Sequence, residues 1–196
     1  MSNVLNLTGR PLVGQVVHEL QMAETTEPSE LHRAVTAAFE ELKDPVFRYV
    51  AAIVSEDQGA RDVTQEAFVR LYEHLLKGHR IAHVRAWIFR VAHNLAIDAV
   101  RKSSAAAVDH SASADERAHD IADPSPGAED RLLQAESRGR LRHALGRLSA
   151  QERRCLDLRA EGLTYREIAE VLGIRHTSVA VFLARGLKKL TSTLHE

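Results

Sequence analysis

TYREIAEVLGIRHTSVAVFLARGLKKL, from Thr164 to Leu190, decides how the C-terminal third of this chain folds. Thr164 and Glu167 have the spacing of a capping box, in which the hydroxyl accepts from a backbone N–H and the carboxylate reaches back to the cap. The helix they open ends at Gly173, the residue type that best tolerates the left-handed turn after a helix. Ile168 and Leu172 pack inward, Ala169 permits close approach of a second helix, and Ile174 and Val179 clamp it. Two short helices locked at a steep angle form a helix-turn-helix, which offers the second helix to the major groove. A helical hairpin with no DNA role has the same local pattern. The second helix opens Ala180-Val181-Phe182, where a DNA reader usually shows arginine, lysine or a polar side chain.

Upstream, Ser149-Ala150-Gln151-Glu152 is a second capping box and opens a helix through Arg159. Helical periodicity resumes near Glu129, with Leu132, Leu133, Leu141 and Leu145 on the first helix. The last helix runs from about His176 to Leu194, with Val179, Leu183, Leu187 and Leu190 facing inward. Before these helices, residues 103–128 are rich in Ala, Ser, Asp and Pro and lack apolar periodicity, which predicts a flexible acidic linker.

The N-terminal half carries a second helical cluster. Leu31, Val35, Ala38, Phe39 and Leu42 share a face, and Asp44-Pro45 reads as an N-cap followed by proline at the first position of a new helix over Val46 to Val54. A third helix spans about Arg61 to Leu76, with Val63, Ala67, Leu71 and Leu75 inward, and Lys77-Gly78-His79 breaks it. A fourth spans about Val84 to Val100, with Trp87, Val91, Leu95 and Ala99 on one face and Ile88 beside it. The fold class expected is therefore all-α: an N-terminal four-helix bundle over 31–102 and a helix-turn-helix domain over 129–196, joined by the linker. Residues 1–30 form an extension in which Leu12, Val13, Val16, Val17 and Leu20 suit one short amphipathic helix.

Composition is consistent with this division. Of 196 residues, 44% are hydrophobic, 27% charged and 5% aromatic, the balance of a soluble helical protein. The net charge of −1 conceals alternating blocks. Residues 1–76 carry six Lys and Arg against twelve Asp and Glu, and 77–102 carry six against one. Residues 103–130 carry one against seven, and 131–196 thirteen against seven. Two basic blocks separated by an acidic spacer suggest two DNA-facing surfaces. The single cysteine, Cys155, excludes an internal disulfide and a cysteine-built zinc site, and reads as a small buried residue. No apolar run approaches the ~20 residues that span a bilayer. The N-terminus does not read as a secretory signal, so a cytoplasmic protein without membrane insertion is expected.

QERRCLDLRAEGLTYREIAEVLGI (Gln151 to Ile174) resembles the −35-reading domain of bacterial sigma factors, a pattern shared by other regulator output domains. ARDVTQEAFVRLYEHL (Ala60 to Leu75) followed by RAWIFRVAHNLAIDAVRK (Arg85 to Lys102) resembles the promoter-opening domain of extracytoplasmic-function (group IV) sigma factors. With both motifs in this order, the chain is identified as similar to that family over residues 31–102 and 129–192.

The resemblance implies roles that the residues suit. Asp62, Gln65, Glu66 and Phe68 match the motif that docks on the clamp helices of the largest subunit of core RNA polymerase. On the fourth helix Arg85, Arg90, Arg101 and Lys102 form a positive rim, and Trp87, Phe89 and Asn94 add aromatic and amide groups. A single-stranded DNA groove combines such elements. Asn94 matches the family position that helps hold a flipped −10 base, a base whose extrusion costs a few kcal/mol. Trp87, on the apolar stripe, reads as core. The loop Gly78 to His83, with Arg80 and His83, stands where the family's specificity loop lies, but as GHRIAH it lacks an aromatic.

For the −35 duplex the candidates are Tyr165, Arg175, His176, Thr177, Ser178, Ala180, Val181, Arg185 and Lys188, with Lys189 as a further polar contact. Relatives typically carry lysine or arginine where Ala180 and Phe182 stand. Ala180 and Val181 suit contact with thymine methyls, and a protein partner facing Phe182 is the rival reading. The resemblance also implies binding to the flap of the second-largest polymerase subunit, and makes an anti-sigma factor a candidate partner. No phosphate-cradling glycine loop, nucleophile elbow or paired-carboxylate signature points to an enzyme, no cofactor is implied, and His79 and His83 read as loop residues rather than metal ligands. Two other readings remain open: a stand-alone transcription regulator that binds duplex DNA without polymerase, and an interaction protein that sequesters an anti-sigma factor.

Overall fold

The computed structural model describes residues 28–54, 56–106, 139 and 143–194. These fall into two compact units, one within residues 1–113 and one within 114–196. All regular structure among the described residues is helical, and no helix there is long and apolar enough to cross a membrane. Residues 1–27 of the N-terminal extension and most of the acidic linker lie outside the described residues, as do Leu132, Leu133 and Leu141.

Unit 1 is built from α1 (Pro28–Ala51), α2 (Asp57–Leu76) and α3 (Val84–Ala106), each packed on the other two. The sequence pattern predicts a break at Asp44-Pro45, yet α1 runs straight through it with Pro45 in its interior. An internal proline costs about 3 kcal/mol through a lost hydrogen bond and a ring clash. Against that, Ala38, Leu42, Val46 and Val50 recur every four residues on both sides of the proline, and all are fully buried. Each large one contributes about 1.5–3 kcal/mol by leaving water, so an unbroken helix wins and the described bundle has three helices, not four.

α2 starts four residues before the apolar pattern does. Glu56 is its N-cap, without a side-chain cap bond; Asp57 sits in the first turn and Ala60 is fully buried. An acidic first turn complements the helix dipole, consistent with a helix that begins ahead of the first periodic residue.

α3 is turned by about one residue from the expected face. Val84, Ile88, Phe89, Ala92 and Ala96 are buried, whereas Trp87, Val91, Leu95 and Ala99 are half-buried. The sequence holds two adjacent apolar stripes. The observed rotation puts His93 inside, where Tyr49 Oη lies 2.8 Å from its Nδ1 and Phe89 packs edge-on to Tyr49.

Unit 2 contains α4 (Ala150–Ala160), α5 (Tyr165–Leu172) and α6 (His176–Leu194). Both capping boxes form: Ser149 with Glu152 opens α4, and Thr164 with Glu167 opens α5. Gly173 takes φ 63°, the left-handed value its position after α5 requires. The core is Ala144, Cys155, Leu158, Leu163, Ile168, Ala169, Val171, Val179 and Leu183. Burial pushes the Cys155 thiol up to about 11.

Leu187, expected inward, is 53% exposed. Gly186 faces α4 in its place, and a Cβ there would lie 2.8 Å from Leu156 Cδ1. The absence of a side chain at 186 lets the two helices approach, and the resulting rotation turns Leu187 out.

Candidate nucleic-acid and polymerase interfaces

On α2, Asp62, Gln65 and Glu66 all lie on the exposed face. Asp62 accepts from Gln58 Nε2 at 2.8 Å, and Glu66 pairs with Arg70 at 2.8 Å. Phe68 is not on that face. It is 5% exposed and meets Phe39 edge-on with centroids 4.9 Å apart, so it holds α1 to α2 and is unavailable for docking. The sequence reading missed Val69, which is 44% exposed and stands one residue beyond Phe68 on the open side. Placing an apolar side chain among carboxylates there makes an amphipathic patch, and its position opposite the stripe of Val63, Ala67 and Leu71 is the signal that could have found it.

The −10 candidates divide. Asn94, Arg90, Arg101 and Lys102 are exposed along α3, Arg101 within 3.6 Å of Asp98. Arg85 is not part of an open rim: its guanidinium lies 3.0 Å from Glu41 of α1, with 21% of the side chain exposed, and braces two helices. Desolvation raises the Glu41 pKa despite the nearby cation. Phe89 is fully buried and offers no ring to a nucleic acid.

Trp87, expected in the core, is half-buried at the α2–α3 junction. Its ring lies 5.2 Å from that of His74, which lies 4.7 Å from His79. The loop thus lacks Phe, Tyr and Trp but gains a ring array from histidines on two elements. Burial lowers the His74 pKa, and His79, Lys77 and Arg90 lower it further. Ile81 is buried and anchors the loop, Arg80 and His83 are exposed, and the His83 carbonyl accepts the Trp87 N–H at 2.9 Å.

In unit 2, Arg175, His176, Thr177, Ala180, Val181, Arg185 and Lys188 are exposed, Ser178 and Phe182 half-buried. Tyr165 is exposed between Arg159, 5.9 Å from its ring centroid, and His176, 6.0 Å between centroids. Lys189 is not a free cation: its Nζ donates to Glu152 Oε2 at 2.7 Å and to the Arg147 carbonyl at 3.3 Å. Glu152 is 4% exposed. Its hydrogen bond from Lys189 and that from the Ser149 backbone hold its carboxyl below the usual carboxylate range. One carboxylate therefore closes a capping box and fastens α6 to α4. No group of three or more potential metal ligands occurs among the described residues.

Comparison with known proteins matches residues 38–106 to the family described as Sigma-70 region 2, and residues 138–190 to Sigma-70, region 4. The sigma factor SigL of Mycobacterium tuberculosis is 30% identical over 166 residues, which cover 82% of this chain and 88% of SigL. The chain belongs to the extracytoplasmic-function (ECF) sigma factors. The probable sigma factor RfaY of Xanthomonas campestris is 29% identical over 169 residues, 86% of this sigma factor but 41% of RfaY. The chain thus spans less than half the length of that relative. Among solved structures, the sigma factor RpoE in complex with the anti-sigma factor NepR, from Bartonella quintana, superposes with a TM-score of 0.63. It covers 82% of this sigma factor and 96% of its own chain at 18% identity, a likeness of fold.

Proposed function

We propose that this ECF sigma factor binds core RNA polymerase and directs it to a class of promoters, without catalysing a reaction itself. The observation that supports this best is the pair of region matches in order, each falling on a separate compact unit. In this reading residues 31–102 dock the clamp helices of the largest polymerase subunit and capture the −10 element. Residues 103–128 form the linker, which by its negative charge mimics nucleic acid along the RNA exit path. Residues 129–196 bind the −35 duplex and the flap of the second-largest subunit. The protein acts in the cytoplasm, where core polymerase is.

For the clamp contact we assign Asp62, Gln65 and Glu66, with Val69 at their centre. For the −10 strand we assign Asn94, Arg90, Arg101 and Lys102, with Arg80 and His83 from the loop. Each exposed cation adds a salt-dependent phosphate contact, and the Asn94 amide supplies a donor and an acceptor for an unstacked base. For the −35 duplex the assignment is Tyr165, Arg175, His176, Thr177, Ser178, Ala180, Val181, Arg185 and Lys188. Core polymerase holds both units near their DNA elements, so each contact is effectively intramolecular and a weak −35 grip suffices. The sigma factor RpoE was solved with an anti-sigma factor, which supports a partner of that kind here.

Run-off transcription with purified core polymerase on a pool of promoter fragments tests the reading. New transcripts are expected only with the protein present, and Asn94→Ala or Gln65→Ala abolishes them. A protein that shifts duplex DNA alone but yields no transcript with core polymerase overturns the proposal in favour of a stand-alone regulator.

A further inference from the structure

Within the surface assigned to the −35 duplex, α6 carries a stripe that is largely apolar. Thr177, Ala180, Val181, Ala184, Leu187 and Lys188 recur at helical spacing, and every one is exposed. Val181 is 45% and Leu187 53% exposed. Between the hydroxyl of Thr177 at one end and the cations of Arg185 and Lys188 at the other, Ala180, Val181 and Ala184 offer no hydrogen-bonding group. The middle of the stripe therefore cannot read the donors and acceptors of guanine, adenine or cytosine. The major groove displays one apolar group, the C5 methyl of thymine.

The surroundings favour DNA over a protein as the occupant. Arg175, Arg185 and Lys188 are all exposed on α6 or at its start, where they suit phosphates bordering a groove. Protein-binding hot spots are built on large anchors, chiefly Trp, Tyr and Arg. The stripe offers alanines, a valine and a leucine, none of them an anchor of that kind, and the one Phe, Tyr or Trp of α6, Phe182, is half-buried. Small side chains let a helix backbone come close to base edges. The helix is also held rigidly: Lys189 is fastened to Glu152, and Gly186 lies against Leu156. Val181, β-branched on a helix, is confined largely to one rotamer.

We infer that unit 2 recognises its DNA element through thymine methyl groups, packed against Ala180, Val181 and Ala184. The inference rests on the sigma-factor reading. From Thr177 to Ala184 the stripe is ~10 Å long, which is about three base steps at 3.4 Å per step. The element bound by unit 2 accordingly contains a run of two or three thymines on one strand. It does not depend on a guanine contacted by arginine or lysine.

The test uses holoenzyme assembled from core polymerase and the full chain, on promoter duplexes with a constant −10 region and a randomised −35 region. Selection is expected to enrich a thymine run. Replacing each selected thymine by deoxyuridine removes only the methyl, and is expected to weaken binding about fourfold per base, the worth of one buried methyl group. Replacing the same T·A pairs by 5-methylcytosine·G restores the methyl and recovers part of the loss. Val181→Thr keeps the side-chain shape at an exposed position and is expected to reduce the thymine-over-deoxyuridine preference.

Transcription that responds to the protein but shows no difference between thymine and deoxyuridine overturns the inference and leaves the sigma reading intact. Selection with no −35 preference likewise overturns it and returns α6 to a protein partner. No protein-dependent transcript on any template overturns both.

Discussion

Two carboxylates each tie a pair of helices, and their environments push them in opposite directions. Glu41 in unit 1 meets Arg85 at 3.0 Å across α1 and α3, yet its pKa is raised, because desolvation outweighs the one cation. Glu152 in unit 2 meets Lys189 at 2.7 Å across α4 and α6, and its pKa is lowered, because Lys189, the Ser149 backbone and the Ser149 hydroxyl all donate to it or lie beside it. An ion pair is stabilising when enough donors replace the lost water, and close to neutral when one partner must do so alone. The difference has a functional side. The unit 2 tie fixes the helix proposed to face DNA, whereas the unit 1 tie removes Arg85 from the cations proposed to meet it.

The chain provides a separate probe for each unit, since its one tryptophan, Trp87, lies in unit 1 and its one cysteine, Cys155, in unit 2. The largest expected effect is from Glu152→Ala. It leaves the Ser149 N–H without its partner and removes the carboxylate from Lys189, at a cost of about 2–3 kcal/mol. Denaturant-dependent labelling of Cys155 should report that loss, while the Trp87 fluorescence transition stays in place. Equal movement of both probes would show that the tie is not local to unit 2.

Gly186→Val forces a branched side chain into the 2.8 Å approach to Leu156. Overpacking of this kind costs about 1–3 kcal/mol, again seen through Cys155, and should weaken −35 binding because α6 is displaced. Wild-type affinity together with wild-type stability would mean that the close contact is dispensable.

Next comes pH. Glu152, with its folded pKa lowered, contributes stability that is present above the unfolded value of 4.5 and is lost as pH falls through the lower folded value. Glu41, with its folded pKa raised, contributes stability that is full below 4.5 and is lost as pH rises through the higher folded value. Denaturation at pH 4 and pH 6 should therefore show opposite contributions from the two carboxylates. Glu41→Gln should remove the unit 1 contribution while leaving stability near neutral pH within about 1 kcal/mol of the wild type. A Glu41→Gln protein with an unchanged pH dependence in the Trp87 transition would sink the contrast.

The smallest signal is kinetic. Cys155 is fully buried and its thiol titrates near 11, so a thiol reagent should react only upon opening of unit 2. Rapid labelling of the native protein at neutral pH would contradict the packing around α4.

Legibility from sequence differs between the units for a physical reason. Capping boxes are local: Ser149 with Glu152, and Thr164 with Glu167, specify helix starts within four residues, and Gly173 specifies a stop. Those boundaries fall where the pattern puts them. Pro45 is also a local signal, but its cost is overruled by Leu42, Val46 and Val50, which lie on one stripe and pack on other helices. Helix rotation is the least local property. With apolar residues on two adjacent stripes of α3, the Tyr49–His93 contact selects one of them, and this moves Phe89 inside and Trp87 to the edge.

Phe68 and Arg85 depart from the sequence pattern for one reason, that the packing of α1 captures both. Conversely, exposure of Asp62, Gln65, Ala180 and Val181 follows from positions opposite well-marked core residues, whereas that of Asn94 follows only from the observed rotation of α3.

By itself, then, the sequence determined the all-helical class, the order of the two units, the caps of α4 and α5, and the family, because these rest on short-range spacing and recognisable motifs. The tertiary structure alone decided which way α3 and α6 turn, which cations are captured by carboxylates on other helices, and which apolar side chains remain on the surface. Those outcomes depend on contacts between residues 29 to 44 positions apart, where a balance of burial against hydrogen bonding, not local propensity, sets the result.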